Sequence, residues 1–195
     1  MPRTKCLLWD FGDTLCDERF IWSSGPEWME IYKTFDDDGL GASWNLGKIN
    51  AWQFAAAVSE RLDRSAKSVL AHMTQCCNHV EFFESTFAFF KTRHLHQAIV
   101  TVNPDLFSDV IVPIWQLDAH CDVIVTSWEE GTIDKNVLCR LAIERMGLTC
   151  ENHEALLIDN KRSNIDGWAS VGGAGYHYVG DTEFSSDVAS GIDSL

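Results

Sequence analysis

The hydrophobic pattern of the chain changes character twice. A short apolar run, Cys6-Leu7-Leu8-Trp9, ends on Asp10 in a turn that contains Gly12, which predicts a buried strand with an acid at its carboxyl end. From Cys16 to about His94, apolar residues recur at helical spacing. Beyond His94, strand and helix patterns alternate, as expected for strands that lie parallel in one sheet.

Four helices are predicted in the middle stretch. Their start signals are a proline at a first helical position and three capping residues, namely Pro26, Asn50, Ser65 and Ser85. Their apolar faces contain Trp28, Ile31, Tyr32 and Phe35; Trp52, Ala55, Ala56 and Leu62; Val69, Leu70, Met73, Cys76, Cys77 and Val80; and Phe87, Phe89 and Phe90. We therefore predict a helical cap domain over residues 16–94, inserted into a core domain of residues 1–15 and 95–195.

The remainder of the chain predicts an α/β core. Further strands are expected at Ala98–Val102, Val123–Thr126, Ala155–Ile158 and Tyr176–Val179, and helices at 103–114, Lys135–Met146 and Ser163–Val171. This alternation favours a three-layer, doubly wound parallel sheet with helices on both faces. The segment after Thr182, rich in Ser and Asp, is expected to be loosely held.

Composition narrows the function classes. The 29 acidic and 15 basic side chains give a net charge of -14, which disfavours binding to nucleic acid or to anionic membranes. The seven cysteines include no C-x-x-C pair, a pattern typical of reduced thiols in a cytoplasmic protein. The sequence shows neither a secretory signal nor a membrane-spanning run, so we expect no nucleic-acid or membrane partner, and the oligomeric state stays open.

Four polar residues fall where predicted strands end or in the loop that follows one. Asp10, Thr101 and Asp159 end three strands, and Lys135 follows a fourth. Because the carboxyl ends of parallel strands meet at one edge of a sheet, two acids, a hydroxyl and an ammonium are expected to converge there.

At these positions the chain resembles the haloacid dehalogenase (HAD) superfamily, in particular its subgroup with a small helical cap. The family pattern is hhhhDxDGT, then hhh(T/S), then a Lys, then hhhDD or a close variant. The matching segments are Leu7 to Leu15, Ala98 to Asn103, Lys135, and Leu157 to Asn160 with Asn164. Four motifs in this order span nearly the whole chain.

The resemblance implies a Mg²⁺-dependent phosphatase that acts on a small phosphorylated substrate. Asp10 would attack phosphorus and form an aspartyl-phosphate. Lys135 and Thr101 would be the other catalytic residues, since they offset the charge of the phosphate or hold its oxygens. The implied substrate-binding residues are Thr101, Asn103, Lys135, Gly12 and Asp13, and the implied metal ligands are Asp10, the backbone carbonyl of Gly12 and Asp159.

Two residues depart from the family pattern. Family phosphatases place an Asp two residues after the nucleophile as the general acid, and here that position is Gly12. Asp13 lies one residue further on and is expected to point elsewhere unless the turn is remodelled. Asn160 replaces the second acid of the fourth motif, which predicts a weaker Mg²⁺ site.

These departures leave alternatives open. A metal-independent 2-haloacid dehalogenase of the same superfamily also lacks the general acid, although its fourth motif is generally rich in serine and lacks an acid such as Asp159. A weakly active or inactive phosphate-binding pseudoenzyme is the other alternative.

Four tryptophans of the predicted cap have two possible positions. They fit a substrate pocket and the core of the cap equally well, and they are Trp22, Trp28, Trp44 and Trp52.

Overall fold

The computed structural model describes residues 4–18, 39–92 and 95–191 of the chain. The strands are β1 (Cys6–Trp9), β2 (Cys16–Asp17), β3 (Glu81–Phe82), β4 (His96–Thr101), β5 (Val123–Thr126), β6 (Ala155–Asp159) and β7 (Ala174–His177). The α-helices are α1 (Leu40–Asn45), α2 (Ala51–Leu62), α3 (Ala66–Cys76), α4 (Glu84–Lys91), α5 (Val112–Trp115), α6 (Ser127–Glu130), α7 (Lys135–Arg145), α8 (Arg162–Ser170) and α9 (Asp181–Gly191).

Five strands form one parallel sheet in the order β5-β4-β1-β6-β7. Alternate residues of β1 enter different cores, because successive side chains of a strand face opposite sides of the sheet. Leu7 and Trp9 pack with Phe90 and Phe184 on one side, whereas Cys6 and Leu8 pack with residues that include Leu138 and Trp168 on the other. The predicted three-layer, doubly wound α/β fold is confirmed.

The helices between β2 and β3 have a small core of their own. The Trp44 ring stacks on Phe54 with 4.2 Å between ring centroids, and Val58, Val69 and Met73 complete this cluster. Two predicted helix starts are confirmed by their caps: Asn50 and Gln53 form a capping box, and the Ser65 side chain accepts from Ser68 N. The helix expected at Pro26 lies outside the described residues, and so do Trp22 and Trp28. His94, the predicted end of the cap, lies outside them as well.

The short antiparallel pair of β2 and β3 was not predicted. Cys16 lies opposite Phe82 and Asp17 opposite Glu81. Two residues are too few to show the alternation by which a strand is recognised. The pair joins the start of the inserted stretch to its end, and the division of the chain into a core and a cap stays a prediction.

Some element bounds differ from those predicted. Residues 107–111 form a π-helix ahead of α5, where one regular helix was expected. The last strand begins at Ala174, earlier than predicted, although the run Gly172-Gly173-Ala174-Gly175 is typical of a turn. Gly175 instead pairs with Leu157, and a Cβ there would stand 2.8 Å from the Ile165 side chain, so the close packing of β7 on α8 requires glycine.

The described part of the segment after Thr182 is helical up to Gly191 and is not a loose tail. Phe184 of α9 is buried and meets Trp9 edge-on at 5.8 Å between ring centroids. The Asp181 carboxylate accepts from Ser85 N at 3.1 Å and from Thr86 N and Oγ1 at 2.7 Å each, so it caps α4 from a distant part of the chain. The loose-tail prediction was wrong because one buried aromatic ring and one cap outweigh the polar composition.

None of the helices in the described ranges combines the length and the apolar composition that membrane spanning requires.

Asp181→Ala should lower the free energy of unfolding by about 1–2 kcal/mol, because it leaves the first turn of α4 without its cap. Burial raises the pKa of Asp181, but the hydrogen bonds from Ser85 and Thr86 outweigh burial and hold it below its ordinary value of 3.8. The loss should therefore be complete above pH 4 and vanish as the pH falls through the lowered pKa. Urea denaturation at several pH values measures both effects.

Glu183→Ala is the matched control, since Glu183 is an exposed carboxylate on the same helix. Its effect should stay within about 0.5 kcal/mol. Equal losses in the two variants would contradict the capping role of Asp181.

Candidate active site

Asp10 follows β1 directly and precedes a tight turn that begins at Phe11. Its N–H donates to Ile158 O at 2.9 Å, which extends the pairing of β1 with β6 by one residue. Its Oδ1 accepts from Phe11 N at 2.9 Å, and only 7% of the residue is exposed. Leu15 N then donates to Phe11 O at 2.8 Å, which closes the turn.

Lys135 lies between Asp10 and Asp159. Its Nζ is 2.9 Å from Asp10 Oδ1 and 3.1 Å from Asp159 Oδ2, and it donates to Val100 O at 2.7 Å. These three acceptors match the three protons of an ammonium group. Lys135 is the first residue of α7, where the helix dipole disfavours a cation, and it is 4% exposed, so the two carboxylates are what hold the charge there.

Burial and charge oppose each other in this cluster. Burial raises the pKa of Asp10 above its ordinary value, with Lys135 opposing the rise and Asp159 adding to it. Burial lowers the pKa of Lys135, but the two carboxylates outweigh it, so the pKa of Lys135 is raised and the ammonium stays charged. One ammonium lies between two acidic side chains, so a metal cation would add positive charge where acidic groups outnumber basic ones.

Asp159 ends β6 and is fully buried. Its Oδ1 accepts from Lys161 N at 2.7 Å, and its Oδ2 accepts from Asn164 Nδ2 at 2.9 Å besides the ammonium of Lys135. Asn164 therefore orients the carboxylate and does not cap α8. Each carboxylate oxygen has two lone pairs, so Oδ1 retains one for a further partner.

Asn160 brings an unused oxygen to the same edge. Its backbone N–H donates to Thr14 Oγ1 at 3.1 Å, and its carbonyl lies 3.0 Å from His177 Nε2. Its side-chain Oδ1 is buried and has no hydrogen-bond partner among the described residues. A buried acceptor of this kind calls for an explanation, and a bound ion or its water would provide one.

This donor set fits Mg²⁺. No group of three or more His, Cys, Asp or Glu side chains in the described ranges could hold a metal ion. Magnesium does not require such a group, because it is commonly bound through one or two carboxylates and keeps several waters. Asp10 and Asp159 supply the carboxylates, and the orphaned oxygen of Asn160 is the same hard type of ligand.

Thr101 lies at the same sheet edge as the charged cluster. It is buried at the end of β4, one residue beyond the carbonyl of Val100 that accepts from Lys135. Asn103 Nδ2 donates to Thr101 Oγ1 at 2.7 Å, so the two residues that the sequence predicts to bind phosphate are in direct contact. Ser127 Oγ donates to Asn103 O at 3.4 Å and links this loop to α6.

The turn does not bring Asp13 to this cluster. Asp13 adopts a left-handed backbone with φ of 52°, is exposed, and accepts from Glu18 N at 3.1 Å through Oδ1. The space beside Gly12 is filled by the Glu18 carboxylate, which a Cβ on residue 12 would overlap. Burial, together with the charges of Asp13 and Asp10, raises the pKa of Glu18 to about 7.

The sequence patterns gave no role to Glu18 or to Asp105. Asp105 is buried and accepts from Trp44 Nε1 at 2.6 Å and from Ala51 N at 2.8 Å, so it ties α1 and α2 to the loop that carries Asn103. Its position after Asn103-Pro104 suggested only a helix start. Trp44 thus lies in the helical core, whereas Trp52 is half exposed.

Comparison with known proteins shows the fold. Neither a protein-family model nor a curated protein matches the chain. Among solved structures, a HAD family enzyme from Bacteroides thetaiotaomicron is 15% identical, with a TM-score of 0.72 over 95% of this chain and 98% of that one. A predicted HAD-like family hydrolase from Porphyromonas gingivalis is 14% identical, with a TM-score of 0.74 over 96% of this chain and 97% of that one.

A third similar structure is a haloacid dehalogenase. The L-2-haloacid dehalogenase from Xanthobacter autotrophicus, with chloropropionic acid covalently bound, is 16% identical, with a TM-score of 0.64 over 98% of this chain and 85% of that one. The Bacteroides enzyme has also been solved with magnesium and inorganic phosphate. The chain has the HAD-like fold, and the structures that share this fold include one with magnesium and phosphate bound and one haloacid dehalogenase.

Lys135→Met should lower the free energy of unfolding by about 3–5 kcal/mol, because it leaves Asp10 and Asp159 as buried acids without a cation. The double variant with Asp10→Asn should recover part of the loss, since one of the two charges is then removed. Urea denaturation of both variants measures the effect. An unchanged unfolding midpoint in Lys135→Met would contradict the bridging role of the ammonium.

Proposed function

We propose that this protein is a HAD-type hydrolase, specifically a Mg²⁺-dependent phosphatase that acts on a small phosphorylated metabolite through an aspartyl-phosphate on Asp10. The observation that carries the proposal is the buried cluster in which Lys135 joins Asp10 to Asp159 at 2.9 and 3.1 Å. Burial of these charged groups lowers the stability of the fold because it removes them from water. Such clusters are typical of reaction sites, where the buried charges serve catalysis.

Each residue of the cluster has its own role in the proposed reaction. A carboxylate oxygen of Asp10 attacks phosphorus as the bond to the leaving oxygen breaks, and water later attacks the same phosphorus and releases Asp10. Lys135 offsets the negative charge that the nucleophile and the phosphoryl group bring together. Thr101 Oγ1 and the Asn103 amide, already 2.7 Å apart, donate hydrogen bonds to phosphoryl oxygens.

The metal ligands in this proposal are Asp10, Asp159 and the backbone carbonyl of Gly12. When bound, Mg²⁺ would supply positive charge to phosphoryl oxygens. The orphaned Oδ1 of Asn160 supports a cation or its water at this edge. Asp159 also favours the phosphatase over a metal-independent dehalogenase, because an attack on carbon with halide departure requires no metal ligand.

The inserted stretch is proposed to act as the cap over this site, with residues 16–94 as the cap and residues 1–15 and 95–195 as the core. The hydrogen bonds of Asp105 to Trp44 and Ala51 support this, because they join the helices of the insert to the loop that would hold the phosphate. The side chains of the cap would then select the substrate. All seven cysteines are free thiols, which favours a reducing compartment such as the cytoplasm.

Purified protein should hydrolyse para-nitrophenyl phosphate when Mg²⁺ is present and lose this activity with a chelator. Asp10→Asn should lower kcat at least about 10³-fold, because it removes the nucleophile. Asp118→Asn is the control, since Asp118 is an exposed carboxylate in the 3₁₀ turn Leu117–Ala119, and it should keep wild-type activity. Steady-state release of para-nitrophenol measures each rate.

Two other results would contradict the phosphatase. Halide release from 2-chloropropionate in the presence of chelator would establish the dehalogenase. A rise in melting temperature with Mg²⁺ and inorganic phosphate, without turnover of any ester, would establish a phosphate-binding pseudoenzyme.

A further inference from the structure

The space beside Gly12 is occupied although residue 12 has no side chain. A Cβ built on Gly12 would overlap Oε1, Cδ and Cγ of Glu18, so the end of the Glu18 side chain lies where a side chain of residue 12 would begin. Glu18 is six positions further along the chain, and only the folded turn brings its carboxylate to this place.

The backbone holds Glu18 in that position. Leu15 N and Cys16 N both donate to Phe11 O, and Gly12 forms an isolated bridge with Cys16. The Glu18 N–H donates to Asp13 Oδ1 at 3.1 Å. The intervening strand β2 pairs with β3, which fixes the chain just before Glu18.

This place is suited to proton transfer. Residues two apart in an extended segment lie on the same side, so a group beside Gly12 is on the side of the Asp10 carboxylate. An alkoxide or phenoxide that leaves phosphorus needs a proton in the transition state. Asp13 is exposed and turned into its hydrogen bond with Glu18 N, and Asp159 is held by three donors, so neither of these acids is available for the task.

We propose that Glu18 is the general acid and base of this reaction, in the place left by the missing side chain of residue 12. As Asp10 bonds to phosphorus and the ester P–O bond breaks, the protonated Glu18 carboxyl gives its proton to the leaving oxygen. The resulting carboxylate then takes a proton from the water that attacks the aspartyl-phosphate, which releases inorganic phosphate and restores the acid. This inference rests on the proposed phosphatase function.

A general acid at Glu18 would widen the range of substrates beyond the range expected from the absence of an acid at Gly12. Without a proton donor, the enzyme would be restricted to esters with good leaving groups. With Glu18 in place, it should also cleave phosphate monoesters whose leaving oxygen is strongly basic.

The test compares two esters that differ in leaving group but hardly in shape, para-nitrophenyl phosphate and phenyl phosphate. Glu18→Gln keeps the size of the side chain and removes the acid. It should lower kcat/KM for phenyl phosphate by about 10²-fold or more and for para-nitrophenyl phosphate by less than about tenfold, because the nitrophenolate leaves readily without a proton. A merely structural role for Glu18 would lower both values equally.

Two further variants sharpen the comparison. Glu81→Gln removes an exposed carboxylate from β3, near the same turn, and should leave the ratio of the two rates at its wild-type value. Glu18→Ala with Gly12→Asp places an acid in the vacated space, and it should restore phenyl phosphate hydrolysis relative to Glu18→Ala alone.

The outcomes separate the two proposals. Equal losses on both esters in Glu18→Gln, or no rescue by Gly12→Asp, would overturn the role of Glu18 and leave the phosphatase standing. Failure of the wild-type protein to hydrolyse either ester in an Asp10-dependent way would overturn the phosphatase, and the role of Glu18 with it.

Discussion

The Lys135 ammonium is buried between Asp10 and Asp159 and also donates to the carbonyl of Val100. Its partners lie at the ends of β1, β6 and β4, so one side chain connects the three central strands at the edge where the site forms. Removal of these charges from water is unfavourable, and apolar side chains of the same volume would make the fold more stable. The charged site therefore lowers the free energy of unfolding. The tight geometry around Lys135, with all three protons used, limits this cost.

The cluster also gives an acidic protein a means to bind an anion, as the proposed function requires. The net charge of -14 repels a phosphate ester at long range, so capture depends on local groups. At the sheet edge these are the ammonium of Lys135, the donors of Thr101 and Asn103, and the cation that the carboxylates would hold. Each of these acts at short range in a buried environment, where electrostatic interactions are least screened by salt.

The inserted stretch meets the sheet through more than its connections in the sequence. Asp105 reaches from the loop after β4 to the helical core at Trp44 and Ala51. At the other side of the site, β2 and β3 bring Glu18 beside Gly12. The inserted stretch therefore contacts both the loop that carries Asn103 and the turn that follows Asp10.

Local patterns in the sequence were enough to predict the strands of the parallel sheet, most of the helices, and the meeting of Asp10, Thr101, Lys135 and Asp159 at one sheet edge. They could do so because hydrophobic period and helix caps are local signals, and because parallel strands end at a common edge. These patterns did not predict α9, because its buried Phe184 and the cap from Asp181 produce no periodic pattern of hydrophobic residues. The position of Glu18, and not Asp13, beside Gly12 could be seen only in the folded chain. The path of the folded turn, and not distance along the sequence, determines which side chain fills the space beside a glycine.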